Sequence, residues 1–315
     1  MKTCAIIGLG KRFKEYHMPA IIKSEYAHLV AVCDINPDLV YEYSKKLDVK
    51  GYTNYDTLLK TEKPDFIIIS TPHDTHLDIV QSAANCGVNI LKEKPLARTS
   101  EEGLKLKNIC EHNNIKIMVC VQRRFEPIYS LYFKLREKIG RIFFVEGKYF
   151  IAVPNLDDGW RASKLISGGG CILDMGYHMA DLLLWYFGIP ETIHAEYSCS
   201  RPEKNYDAED TASIQFSYSN GLHGVFIISR TISPKTELFK IYGSEGTIEI
   251  TKDSIAVTNT QGMVLEKYYK NISDDEISLK QIQTFCELID DESILIGDID
   301  QHLANLQFID KCYKQ

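Results

Sequence analysis

The sequence predicts an α/β chain built in two parts. A doubly wound parallel sheet is expected over residues 1–121, and an α+β domain with a mostly antiparallel sheet over residues 122–315. Three observations predict this. The chain has 315 residues, enough for about two domains at roughly 150 residues each. Up to residue 121, short Ile- and Val-rich runs alternate with helical periods, the pattern of βαβ units. Beyond residue 122, strands follow one another with only turns between them, the pattern of antiparallel pairing.

In the first part the expected strands are Thr3–Ile7, His28–Val32, Phe66–Ser70, Asn89–Leu91 and Lys116–Val121. Helical periods fall at Met18–Lys23, Pro37–Leu47, Thr75–Cys86 and Ser100–Asn113. Phe66-Ile67-Ile68-Ile69 is apolar at every position, as a strand covered on both faces requires. In the second part, Glu126–Lys138 reads as a helix and Ile142–Phe150 as a strand, followed by a loop with Pro154, Asp157, Asp158 and Gly159. Gly168–Gly170 leads into an apolar helix ending near Gly188-Ile189-Pro190. Strands are then expected at Thr192–Ser200, Thr211–Tyr218, His223–Ser229, Glu237–Tyr242, Thr247–Thr251 and Met263–Tyr269, with Ser219-Asn220-Gly221 as a hairpin turn. Helices over Ser278–Ile289 and Ile299–Cys312 close the chain.

Composition narrows the function classes. Acidic residues outnumber basic ones by 43 to 36, so there is no basic footprint for a nucleic-acid partner. The apolar run Leu182–Pro190 is too short for a bilayer span, which argues against a membrane partner, and the opening residues do not read as a secretory signal. Nine scattered cysteines without a C-x-x-C pair read as reduced packing residues of a cytoplasmic protein.

Gly8-Leu9-Gly10 follows the first strand, where a dinucleotide-binding fold places its phosphate turn. The third glycine position of G-x-G-x-x-G holds Phe13, which predicts a displaced or later-starting helix with Lys11 or Arg12 near the phosphates. Asp34 closes the second strand, where an acid accepts hydrogen bonds from adenosine ribose hydroxyls and repels a 2′-phosphate. This favours NAD, with NADP as the alternative; the plainer reading of Asp34 is a cap before Asn36-Pro37. Thr71-Pro72 closes the Ile-rich strand, followed by His73 and His76 beside Asp74 and Asp78. That cluster superficially resembles metal ligands, but Asp74 or Thr75 can simply cap a helix there, and no metal is expected. Glu93-Lys94-Pro95 comes after the next strand; Lys94 there can bind a substrate hydroxyl and stabilise charge on its oxygen, or be a solvated loop lysine.

Gly168-Gly169-Gly170 opens the most informative segment. Asp174 and His178 are four apart, so a helix puts them on one face, with Asp181 three further on. A carboxylate beside an imidazole orients it and stabilises its protonated form, although such a pair is also a common structural feature. A serine-hydrolase reading lacks its G-x-S-x-G elbow, and Cys171 has no evident activation beyond the helix start. Trp160 and Arg161 read as a loop aromatic and a donor fork for substrate, with core packing as the alternative for Trp160.

In this order the motifs resemble the Gfo/Idh/MocA family of oxidoreductases over almost the whole chain. They are Gly8-x-Gly10 with His17 and Pro19, Thr71-Pro72 with His76, Glu93-Lys94-Pro95, and Arg123-Arg124-Phe125 with Pro127. Trp160-Arg161, the Gly168–Asp181 segment and Gly243-Ser244-Glu245-Gly246-Thr247 complete the set, with Phe13 as the departure. The resemblance implies a Rossmann domain holding a nicotinamide cofactor, with Gly8, Gly10, Lys11, Arg12, Asp34, Thr71, Pro72, His76, Glu93 and Arg123 as cofactor-binding residues. It implies a second domain with a large open sheet that supports homodimers or homotetramers, and Lys94, Asp174 and His178 meeting in the crevice between domains. The activity it implies is NAD(P)-dependent hydride transfer at a hydroxyl-bearing carbon of a sugar, cyclitol or sugar nucleotide, with Lys94, Trp160, Arg161, Asp174 and His178 on the substrate. A non-catalytic dinucleotide sensor and a redox-neutral enzyme with tightly held NAD are the alternatives on the same fold.

Overall fold

In the computed structural model, which describes residues 1–201, 203–289, 291 and 299–314, the apolar run Phe66–Ile69 is a strand with all four side chains buried. It belongs to a six-stranded sheet of β1 (Lys2–Ile7), β2 (Ala27–Cys33), β3 (Lys50–Tyr52), β4 (Phe66–Ile69), β5 (Asn89–Glu93) and β6 (Ile117–Cys120). The order is β3-β2-β1-β4-β5-β6 and every pair is parallel. The order reverses between β1 and β4, the position where open α/β sheets bind ligands beyond the carboxyl ends of their strands. The doubly wound expectation is met. β3 had no counterpart in it, because three residues are too few to show a period.

The described chain falls into two compact units, Met1–Phe125 with Ile272–Leu303, and Glu126–Asn271 with Ala304–Gln315. A single cut after residue 121 differs from this division in the late helix Asp274–Leu288. Its Ile282, Phe285 and Cys286 join the first core with Ile6, Leu9, Phe13 and Ile68, and Phe285 meets the Phe66 ring edge-on at 5.3 Å. An apolar helix stripe does not record which sheet it will cover, so order along the chain assigns it to its neighbours. Its start is well marked: Ser273 and Glu276 form a reciprocal capping box.

The second unit holds an eight-stranded sheet of β7 (Ile142–Phe150), β8 (Thr192–Ser198), β9 (Thr211–Ser217), β10 (His223–Ser229), β11 (Thr236–Gly243), β12 (Gly246–Thr251), β13 (Ser254–Asn259) and β14 (Val264–Tyr269). Its order is β14-β13-β12-β11-β7-β10-β9-β8, antiparallel except where β7 meets β10. Burial alternates along β9 and β12, so one face carries the core. The helix Gly176–Phe187 contributes Met179, Leu182, Leu183 and Tyr186 to that core, with Tyr186 edge-on to Phe239. The expected helix Glu126–Lys138 breaks into Pro127–Ser130, Tyr132–Leu135 and a tight turn over Arg136–Ile139. The Tyr129 carbonyl, which a regular helix would bond onward, accepts from the Tyr186 hydroxyl at 2.7 Å. Among the described residues no helix is long and apolar enough to cross a membrane.

Candidate functional site

In the first unit the predicted residues gather at the carboxyl ends of the parallel strands. β1 ends at Ile7, and Gly8 turns with φ +98°, a value that favours glycine. A Cβ there would stand 2.6 Å from the Ser70 carbonyl oxygen, so close approach to the end of β4 also demands glycine. The Leu9 amide donates to Asp34 Oδ2 at 2.7 Å, and the Asn36 amide to Asp34 Oδ1 at 2.9 Å. Asp34 thus ties the turn after β1 to the end of β2. The helix cap is Asn36 itself, whose side chain accepts from the Asp38 amide.

A Cβ on Gly10 would meet nothing within 4 Å. The backbone there faces open space at the start of a helix, as approach by a pyrophosphate requires. Beside Gly8, Ser70 Oγ is buried with no hydrogen-bond partner among the described residues. An open glycine turn and an unsatisfied buried hydroxyl fit a dinucleotide.

The helix does not start late, as Phe13 had suggested. It begins at Lys11 and widens between Phe13 and His17, where the Met18 amide donates to Phe13 O, five residues back. Phe13 is fully buried and meets Tyr43 edge-on at 5.0 Å. The widened turn accommodates a ring where a glycine would let helix and strand close up. Lys11 is exposed and 3.8 Å from Glu15. Arg12 turns inward instead, its Nε donating to Glu93 Oε1 at 2.7 Å while its guanidinium lies over the Tyr16 ring.

Glu93 ends β5 and also faces His17 Nε2 at 2.8 Å. Burial pushes its carboxyl up, but Arg12 and His17 prevail and hold it well below the usual carboxylate range. Glu93 therefore binds the helix after Gly10 to β5. Lys94 follows immediately, half-buried, and Arg123 is buried in the turn Gln122–Phe125 after β6. At the end of β4 the Thr71 and Thr75 hydroxyls pair at 2.7 Å. Thr75 also donates to Pro72 O, so it does not cap the helix His76–Asn85. His76 Nε2 lies 3.1 Å from Thr71 O and donates to it. Burial, then Lys92 and His73, push His76 well below the usual imidazole range, so it is neutral.

In the second unit Asp174 closes the short helix Cys171–Asp174, and His178 lies in Gly176–Phe187. Met175 separates these helices but keeps a right-handed helical backbone. Asp174 Oδ2 sits 2.9 Å from Arg230 Nη2 and 3.4 Å from Arg161 Nε. Arg161 also lies over the Trp160 ring at 4.2 Å. Three of the predicted substrate residues, Trp160, Arg161 and Asp174, are therefore brought together. The His178 ring lies 6.4 Å from that of Tyr149. Asp181, expected beside them, is fully buried and accepts from Asn305 Nδ2 at 3.0 Å.

The residues missed from sequence are Glu209, Arg230 and Lys92. Glu209 is buried and accepts the Gly170 and Ile172 amides at 2.9 and 3.0 Å and the Tyr313 hydroxyl at 2.7 Å. Its backbone oxygen takes the Cys171 amide. Gly170 thus admits the Glu209 backbone, in the segment that leads into β9, and the helix start there is already capped. No local pattern links Glu209 to Gly170. Arg230 had a legible signal, a charge ending the apolar strand β10, as Glu93 ends β5. Cys171 is buried and its thiol is pushed well up by desolvation and Glu209, which removes it as a nucleophile. All nine cysteines are free.

A family model described as an oxidoreductase family with an NAD-binding Rossmann fold matches residues 2–121. A second, the GFO/IDH/MocA C-terminal domain, matches residues 136–249. The chain is similar to Oxidoreductase P35 of Formosa agariphila, at 28% identity over 274 residues and 84% of each chain. It is similar to levoglucosan dehydrogenase of Pseudarthrobacter phenanthrenivorans, at 28% identity over 247 residues, 69% of this chain and 63% of that one. Its fold is like that of an aldose-aldose oxidoreductase from Caulobacter crescentus complexed with glycerol, with a TM-score of 0.89 at 20% identity over 99% of this chain and 96% of that one.

Proposed function

The chain belongs to the Gfo/Idh/MocA family of oxidoreductases, and from that premise we propose an NAD(P)-dependent dehydrogenase or reductase acting on a hydroxyl-bearing carbon of a sugar, cyclitol or sugar nucleotide. The observation that carries the reading is the open backbone at Gly10, in a turn whose Gly8 approaches Ser70, with Ser70 Oγ unpartnered among the described residues, and whose Leu9 amide is held by Asp34. Similarity to levoglucosan dehydrogenase supports a sugar-like substrate.

When bound, the dinucleotide supplies a nicotinamide that takes or gives a hydride. The chain's residues do the rest. Gly8 and Gly10 let the backbone approach the phosphates. Asp34 accepts from the ribose hydroxyls and disfavours a 2′-phosphate, which makes NAD the preferred cofactor. Thr71, Pro72, His76 and Arg123 line the remaining strand ends, and Glu93 holds Arg12 in place. Lys94 donates to the substrate oxygen and stabilises charge on it. His178 takes the hydroxyl proton as general base, and returns it in the reductive direction. Asp174, paired with Arg230 and Arg161, contacts a neighbouring hydroxyl. Trp160 and Arg161 flank the substrate.

Lys94→Ala and His178→Ala are expected to lower kcat by roughly 10²–10⁴-fold, the usual range for a positioned acid–base group. NAD affinity, measured by calorimetry, should be unchanged. Full turnover in both variants sinks the mechanism.

A further inference from the structure

β5 is buried along most of its length, and Lys92 sits within it, between Ile69 of β4 and Val119 of β6. The residue has no exposed surface. Its Nζ lies 3.1 Å from Glu93 O, 2.5 Å from Pro95 O and 2.9 Å from Leu96 O. Three carbonyls match the three donors of an ammonium, and all three belong to the turn around Lys94. Keeping an amine there is costly: desolvation pulls Lys92 down to about 7. An apolar side chain of similar length would fill the space without that cost, and such replacements are often neutral or stabilising. The amine's bonds all serve one turn, so that turn is what its burial secures.

We propose that Lys92 is a positioning residue, whose buried amine clamps the Glu93, Pro95 and Leu96 carbonyls and so fixes the turn that presents Lys94. The proposal rests on the reading that Lys94 contacts the substrate oxygen. Lys92 acts through the backbone, and Lys94 through its side chain.

The test uses the full chain with Lys92→Met, which keeps the length and removes every donor, with Lys92→Gln, which keeps two, and with Lys94→Ala. Hydrogen exchange of the Lys94, Leu96 and Ala97 amides should be about tenfold faster in Lys92→Met, on the order of one to two lost hydrogen bonds. Lys92→Gln should fall between, and β4 and β6 should exchange as in the wild type. With a sugar or polyol that the wild-type chain turns over, Lys92→Met should lower kcat about tenfold at unchanged KM for NAD, as expected when only a transition-state contact is lost. Loss of packing alone does not produce that split. Wild-type exchange across the turn in Lys92→Met overturns the proposal, as does loss of folding in both Lys92 variants. Full turnover in Lys94→Ala, alongside faster exchange in Lys92→Met, overturns the Lys94 reading and leaves the clamp standing.

Discussion

A Cβ on Gly10 would meet nothing within 4 Å, whereas one on Gly170 would collide with the Glu209 backbone. Both glycines open a helix, and both neighbour a carboxylate that accepts backbone amides. Asp34 takes a single amide of the Gly10 turn, that of Leu9, and its other backbone donor is Asn36. Glu209 takes Gly170 and Ile172 with its side chain and Cys171 with its carbonyl. In the first unit the glycine leaves open space; in the second it leaves room for the protein's own chain. Glycine before a helix therefore reports close approach, and only the surroundings tell what approaches.

Three substitutions can break or sharpen that contrast. Gly170→Ala should have the largest effect, since its methyl must displace the Glu209 backbone rather than a flexible side chain. A loss of about 3 kcal/mol is expected, at the upper end for overpacking, and urea unfolding measures it. Stability within 0.5 kcal/mol of wild type, the scale of ordinary surface changes, would show the second cluster to be as open as the first.

Glu93→Gln tests what holds the first turn from behind. Glu93 is held below its ordinary range by Arg12 and His17, so its stability contribution is present above that ordinary range and is lost progressively as pH falls from there through the depressed range. The variant should lose about 2 kcal/mol at neutral pH, the scale of charged hydrogen bonds. Its unfolding midpoint should also fall less steeply from pH 6 towards 3 than the wild type's. An unchanged acid profile would mean that Arg12 and His17 do not anchor the helix through Glu93.

Gly10→Ala should change least in the fold and most in binding. Folding stability should stay within about 1 kcal/mol, with any shift upward from reduced chain entropy. NAD affinity by calorimetry should fall about tenfold, equivalent to ~1.4 kcal/mol. Wild-type affinity would place the phosphates elsewhere.

Much of this was legible in the sequence, and the exceptions have physical causes. Phe66–Ile69 declared a strand covered on both faces because no position tolerated a polar residue, and Pro37–Leu47 was bounded by Asn36 as cap. β5 was expected to end at Leu91, since a charged residue usually marks exposure. The strand continues to Glu93, and the Lys92 amine is satisfied by carbonyls that only the folded turn brings near. β13 carried alternating Ile255 and Val257 but only two buried residues, too faint among polar neighbours. At the site, the strand-end residues could be read because alternation of strands and helices predicts where strand ends lie. Arg230 and Glu209 lie far along the chain from Asp174 and Gly170, and single-sequence spacing carries no record of such pairs.

The late helix that completes the first core also bears on synthesis. Phe66 emerges from the ribosome early, yet the ring that covers it belongs to Phe285. Until that segment is made, the apolar side of the first sheet has no native cover there. Nascent chains halted before the helix Asp274–Leu288 should therefore bind chaperones and be cleaved readily by protease, even with every strand of that sheet already translated.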